Sequence, residues 1–158
     1  MLQLEPGCDA EGLAYDGSRR QLLVACRGGF GRRRSIHVLS VHQDQVVPEA
    51  GFGLDLTSIA SFIGRPARSV DPRAFQPSAI AVHPVSGDVY VLAAVARTVT
   101  VIDRTGAIRQ VWSLPDGWFE KPEGLAITTD QQLWMCGEGV TRGALVARFE
   151  LAGLSPER

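Results

Sequence analysis

Apolar and polar residues alternate along this chain with the period of two that marks a half-buried β-strand, in short runs set apart by turn-forming clusters. The alternation is plain in Ser35-Ile-His-Val-Leu-Ser-Val and in Thr98-Val-Thr-Val-Ile-Asp. Three other runs open with similar phrases: Asp9-Ala-Glu-Gly-Leu-Ala-Tyr-Asp, Gln76-Pro-Ser-Ala-Ile-Ala-Val-His and Lys121-Pro-Glu-Gly-Leu-Ala-Ile-Thr. Each passes through a polar turn into a second apolar run, respectively Gln21-Leu-Leu-Val-Ala-Cys, Asp88-Val-Tyr-Val-Leu and Gln132-Leu-Trp-Met-Cys. The recurring unit is therefore a β-hairpin.

In the fuller units a third strand follows the hairpin. In the second unit the turn Asp103-Arg-Thr-Gly then leads into a fourth strand, Ala107-Ile-Arg-Gln-Val-Trp-Ser-Leu, stopped by Pro115. Four antiparallel strands in series make the blade of a β-propeller. The pattern predicts an all-β partial β-propeller forming a single domain over 1–158, with about three four-stranded blades at 10–56, 77–114 and 122–151. In the first blade Gly51-Phe-Gly-Leu-Asp-Leu reads as the fourth strand, and the insertion at 57–73 holds a short helix closed by Gly64 and Pro66. Residues 1–5 read as an orphan outer strand, and the third blade ends after its third strand, at 141–151. Three blades leave two apolar faces bare, with Trp112, Trp134 and Tyr90 expected between sheets. A second copy of the chain, or further blades of a longer one, is expected to cover them.

Composition narrows the partners. Sixteen basic against seventeen acidic residues leave no bulk charge to draw nucleic acid or an anionic membrane, and 45% apolar residues suffice for a core. No run has the length to span a bilayer, and the opening residues carry no export signal as written. Cys8, Cys26 and Cys136 are odd in number and widely spaced with no Cys-x-x-Cys, so reduced core thiols are expected rather than a disulfide or a thiolate zinc site.

Taken in order, Glu11-Gly-Leu-Ala-Tyr, then Pro77-Ser-Ala-Ile-Ala-Val-His-Pro with Gly87-Asp-Val-Tyr-Val-Leu, then Pro122-Glu-Gly-Leu-Ala resemble the SdiA-regulated domain family of bacterial propellers, which includes the calcium-regulated propeller proteins. The resemblance runs from Cys8 to Phe149 and covers the C-terminal half of the family domain. It implies half of a six-bladed propeller, and a periplasmic or cell-envelope location for full-length members.

Glu11, Ser78 and Glu123 hold one position of the hairpin unit, just before the innermost strand. In a propeller such residues converge at one mouth of the central channel. Two carboxylates and a hydroxyl suit calcium, which takes six to eight oxygens at about 2.3–2.6 Å, although missing blades or water must complete the shell. The alternative is that each Glu accepts backbone hydrogen bonds at the start of its blade. Glu11 and Glu123 are thus the candidate metal ligands, calcium the candidate cofactor, and Glu11, Ser78, Glu123 and Arg27 the candidate ligand-binding residues. Arg27 precedes Gly28-Gly-Phe-Gly-Arg-Arg-Arg, which lacks the Gly-Lys-Ser/Thr ending of a phosphate loop and reads as a solvated hairpin loop with a weak anion site where it borders the channel. His37 and His42 face opposite sides of a strand, and His83 before Pro84 reads as a cap on backbone rather than a base. Cys26 and Cys136 read as buried small hydrophobes.

No catalytic residues can be assigned from these patterns, Ser78 lacking a Gly-x-Ser-x-Gly elbow. The favoured reading is a non-enzymatic binding or scaffold propeller that takes calcium or a small ligand at its channel mouth. The alternatives are a metal-dependent hydrolase of the lactonase or esterase type, or a structural fragment of a longer propeller.

Overall fold

The computed structural model describes residues 2–28, 33–43, 45–63, 71, 74–115, 117–141 and 143–151. The described elements form three antiparallel sheets in chain order. The first holds β1 (Ala10–Asp16), β2 (Gln21–Cys26), β3 (Arg33–His42) and β4 (Gln45–Asp55). Helix α1 (Leu56–Phe62) follows, and then a sheet of β5 (Pro77–Val82), β6 (Val89–Ala93), β7 (Thr98–Ile102) and β8 (Ile108–Ser113). The third sheet holds β9 (Lys121–Ile127), β10 (Gln132–Glu138) and β11 (Leu145–Glu150). Each sheet runs outward from its first strand, and β5 lies between β1 and β9, so the innermost strands stand side by side along one axis. This is the blade arrangement expected of an all-β partial propeller.

The strand period decides which residues meet between blades. Leu23, Ala25 and Ile36 of the first sheet face Ile80, Val89, Val91 and Ile102 of the second, with Phe75, Leu56 and Ile59 closing the outer side. The opposite face of the second sheet, with Ala79, Tyr90, Leu92 and Trp112, packs on Leu133 and Met135 of the third. Tyr90 and Trp112 are buried there with ring centroids 5.7 Å apart. Helix α1 begins where the side chain of Asp55 accepts the Thr57 N–H at 3.1 Å, satisfying one of the unpaired donors of the first turn. Its expected stops, Gly64 and Pro66, lie outside the described residues.

Several expectations are corrected. Strand β4 is longer than the 51–56 run suggests, because a bulge sets Ala50 and Gly51 against His37 and lets pairing continue to Gln45. Residues 2–5, expected as an outer strand, are not a strand: they find no ladder partner among the described residues, and Leu2 and Leu4 lean over the first sheet instead. Cys8 and Cys26 are not reduced thiols but a disulfide with Cα atoms 5.0 Å apart. The β1–β2 hairpin, closed by the turn after Asp16, sets Cys26 opposite Ala10 and thereby brings Cys8 alongside. Cys136 is exposed rather than buried, because its side of β10 faces away from the second sheet. Trp134 shares that side and is likewise exposed instead of lying between sheets.

Candidate functional site

Each innermost strand carries a β-bulge near its start. Ala10 pairs with Cys26 and Gly12 with Ala25, which leaves Glu11 as the extra residue. Pro77 pairs with Ala93 and Ala79 with Leu92, leaving Ser78; Pro122 pairs with Gly137 and Gly124 with Cys136, leaving Glu123. A bulge turns one side chain out of the alternation and re-aims it, a device common beside binding sites. Glu11, Ser78 and Glu123 are thus set in corresponding positions at one end of three adjacent strands.

Their contacts differ. Ser78 Oγ donates to the carbonyl of Pro122 at 3.1 Å and to that of Leu92 at 3.4 Å, pinning the start of β5 to that of β9. Glu11 Oε1 accepts from Arg27 Nη1 at 3.2 Å, and Arg27 Nε donates to Gln76 Oε1 at 3.0 Å, so the guanidinium bridges the first two blades. The Arg27 N–H also donates to the carbonyl of Asp9 at 2.8 Å, which holds the stem of that bridge. In the third blade Lys121 Nζ donates to Glu138 Oε2 at 3.1 Å. That hydrogen bond and the Glu138 charge, with Glu123 contributing, hold the ammonium above its ordinary value and keep it a cation. Glu123 is exposed.

The four expected ligand-binding residues, Glu11, Arg27, Ser78 and Glu123, therefore lie at the same end of the sheets. The pattern did not single out Gln76, Lys121 and Glu138. Gln76 and Lys121 were nonetheless in view, since each opens its phrase two residues before a bulge residue. Among the described residues the partner of the Glu11 carboxylate is the Arg27 guanidinium. A cation arriving at Glu11 must share or displace that guanidinium. Beside this end, an open cavity of about 580 Å³ runs along the outer face of the first sheet, with Leu2, Leu4, Leu13, Val24 and Val46 on its walls and Glu11 among its polar groups. Three residues with metal-ligating atoms gather elsewhere: Cys8, Cys26 and His37, whose ligand atoms lie within 4.8 Å of one another.

The other end of the sheets is structural. Asp16 is buried and accepts hydrogen bonds from Ser18 and Arg19, while Arg104 of the second blade stands 3.8 Å away. Burial pushes its carboxyl up, but the hydrogen bonds and the Arg104 charge outweigh burial and hold it below the usual range. His83 Nδ1 accepts the N–H groups of Val85 and Ser86 at 3.2 and 3.1 Å, the backbone cap its position suggested. Gly28, beyond the end of β2, lies against the backbone of Gly7, and the centre of the basic loop, 29–32, lies outside the described residues.

Three antiparallel sheets in series, with their innermost strands side by side, define a partial β-propeller. The chain belongs to the SdiA-regulated family, whose model matches residues 5–140. No curated protein matches it in sequence. Among solved structures it resembles a chain of a nidogen/laminin complex, at TM-score 0.61 and 14% identity over 95% of this chain and 47% of that one. It is equally similar to a protein of unknown function from Bacteroides caccae, with TM-score 0.61 and 14% identity over 99% and 47% of the two chains. A gluconolactonase from Xanthomonas campestris shares the fold at TM-score 0.52 and 14% identity, over 92% and 39%. The chain spans less than half the length of each of these three.

Proposed function

We propose that this chain is a non-enzymatic binding module of the SdiA-regulated type, whose channel mouth takes calcium or a small polar ligand. One observation carries the proposal: Glu11, Ser78 and Glu123 are the three bulge residues of adjacent innermost strands. Carboxylate oxygens and a hydroxyl from successive blades are the donors a hard cation takes, with water or further blades completing its shell. Arg27 would serve an anionic group of a small ligand in the same mouth.

The propeller's uncovered faces extend the proposal to partners. Leu13, Tyr15 and Val46 are exposed on the outer side of the first sheet, and Trp134 and Val146 on the outer side of the third. Further blades, whether from a longer chain or a second copy, are the partners suited to cover them. The Cys8–Cys26 disulfide supports an oxidising compartment such as the periplasm or cell envelope.

A metal-dependent lactone or ester hydrolase is the rival reading. Its support is the fold shared with the Xanthomonas campestris gluconolactonase. Calorimetric titration with calcium beside a lactone panel separates the two. Binding without turnover is the expected result, whereas metal-dependent lactone opening abolished by Glu11→Gln would replace this function with the hydrolase.

A further inference from the structure

The outer face of the first sheet carries a second cluster, distinct from the channel mouth. Leu13 pairs with Val24 and Val24 with His37, so His37 projects from the same face, and Cys26, two residues beyond Val24, shares it. The segment before β1 folds over this face and brings Cys8 to Cys26 and Glu5 to His37. The sulfurs and a His37 ring nitrogen lie within 4.8 Å of one another. His37 Nε2 is buried and makes no hydrogen bond among the described residues, although Glu5 Oε1 stands 3.3 Å from it. A buried ring nitrogen without a hydrogen bond is uncommon, since buried polar atoms normally find partners.

We propose that Cys8, Cys26 and His37 form a thiophilic metal site, of the kind zinc(II) occupies, when their disulfide is reduced. Tetrahedral zinc holds sulfur at about 2.3 Å and imidazole nitrogen at about 2.0–2.1 Å, so its ligand atoms stand a little under 4 Å apart. The ligand atoms of the three groups lie within 4.8 Å of one another, so the imidazole must draw closer and the bonded sulfurs must separate. Side-chain rotation can open that gap, because Cys8 lies before β1 rather than inside a ladder. Glu5 completes the shell as a fourth ligand, or orients the imidazole as carboxylates do around zinc.

The chemistry balances with a low-molecular-weight thiol as reductant. Two such thiols convert the disulfide into two protein thiols and leave as their own disulfide. Zinc then displaces the two thiol protons and binds the two thiolates. The site is closed while the disulfide stands and open once it is reduced, so metal occupancy reports the redox state of this face. Calcium does not compete here, because it prefers oxygen donors.

The test uses the full chain, reduced and then freed of reductant without air, and titrated with cobalt(II) as a spectroscopic stand-in for zinc. One equivalent is expected to bind with thiolate charge-transfer absorption. Zinc should displace it, and the zinc-bound form should resist re-oxidation. The oxidised chain should show no such band. Cys136→Ser should bind as the parent does, and His37→Asn should weaken binding at least tenfold while leaving the oxidised fold intact. Absence of the band in the reduced parent would overturn the site. So would an equal band in His37→Asn or in urea-unfolded chain, because either would show only two thiolates of an opened hairpin.

Discussion

Gly12 lies so close to Ile80 that a Cβ at Gly12 would stand 3.0 Å from both the Ile80 backbone nitrogen and its Cγ2, and 3.1 Å from the carbonyl carbon of Ala79. The innermost strands of the first two blades meet here with no room for a side chain. Because the obstacle is backbone, relief requires a whole strand to move. Gly12→Ala is expected to cost about 1–3 kcal/mol, and Gly12→Val more, by overpacking. Gly143, which has open space around it, should accept Ala at almost no cost. Urea melts of the two variants check this, and equal midpoints would contradict the close approach.

Gly124 corresponds to Gly12 in the third blade, but its obstacle is different. Its side faces away from the second sheet, and a Cβ there would run into Cys136 Sγ, with Cys136 Cβ the next atom at 3.7 Å. The cost of Gly124→Ala should therefore depend on residue 136. A double-mutant cycle with Cys136→Ala is expected to recover most of the loss, with a coupling of about 0.5 kcal/mol or more. Strict additivity would place the obstacle elsewhere.

The disulfide closes a separation of 18 residues around the first hairpin. Loop-closure entropy for that length corresponds to about 3 kcal/mol, within the usual 2–4 kcal/mol. Cys8→Ser should lower unfolding free energy by that order under oxidising conditions and make the melt insensitive to reductant. A parent melt unchanged by reductant would show that the bond contributes nothing.

The folded-state value of Asp16 is depressed, so its contribution to stability is present above the unfolded carboxylate value of about 3.9 and is lost as pH falls through the lower folded value. Asp16→Asn should therefore be less stable than the parent at neutral pH and should show a flatter acid limb below about pH 4. Parallel acid limbs for parent and variant would mean that Asp16 is not held by Ser18, Arg19 and Arg104.

Period-two alternation and turn chemistry were enough to read the strands, because a blade is built from local hairpins whose signals lie within one segment. The three similar phrases at Glu11, Ser78 and Glu123 likewise marked where corresponding residues would stand. What stayed hidden depended on register and on neighbours. Cys8 and Cys26 meet only because Cys26 falls opposite Ala10, a pairing the cysteine spacing does not announce. The bulge at Gly51 lengthens β4 through a mismatch of one residue with β3. The bridge from Arg27 to Glu11 and Gln76 spans two blades, and long side chains that cross between elements leave no periodic trace. Trp134 and Cys136 look like core residues by composition, and only the facing direction of β10 shows otherwise.

The central claim, a cation or ligand site built from bulge residues at the channel mouth, is tested most directly by thermal melts in calcium. Measured with the disulfide intact, the parent should gain about 2.7 kcal/mol at a hundredfold excess over Kd. Glu11→Gln and Glu123→Gln should each lose most of the gain, while Glu138→Gln, on the neighbouring strand, should keep more of it. An unchanged melting temperature in calcium, or an equal shift in the parent and both bulge variants, would contradict the account.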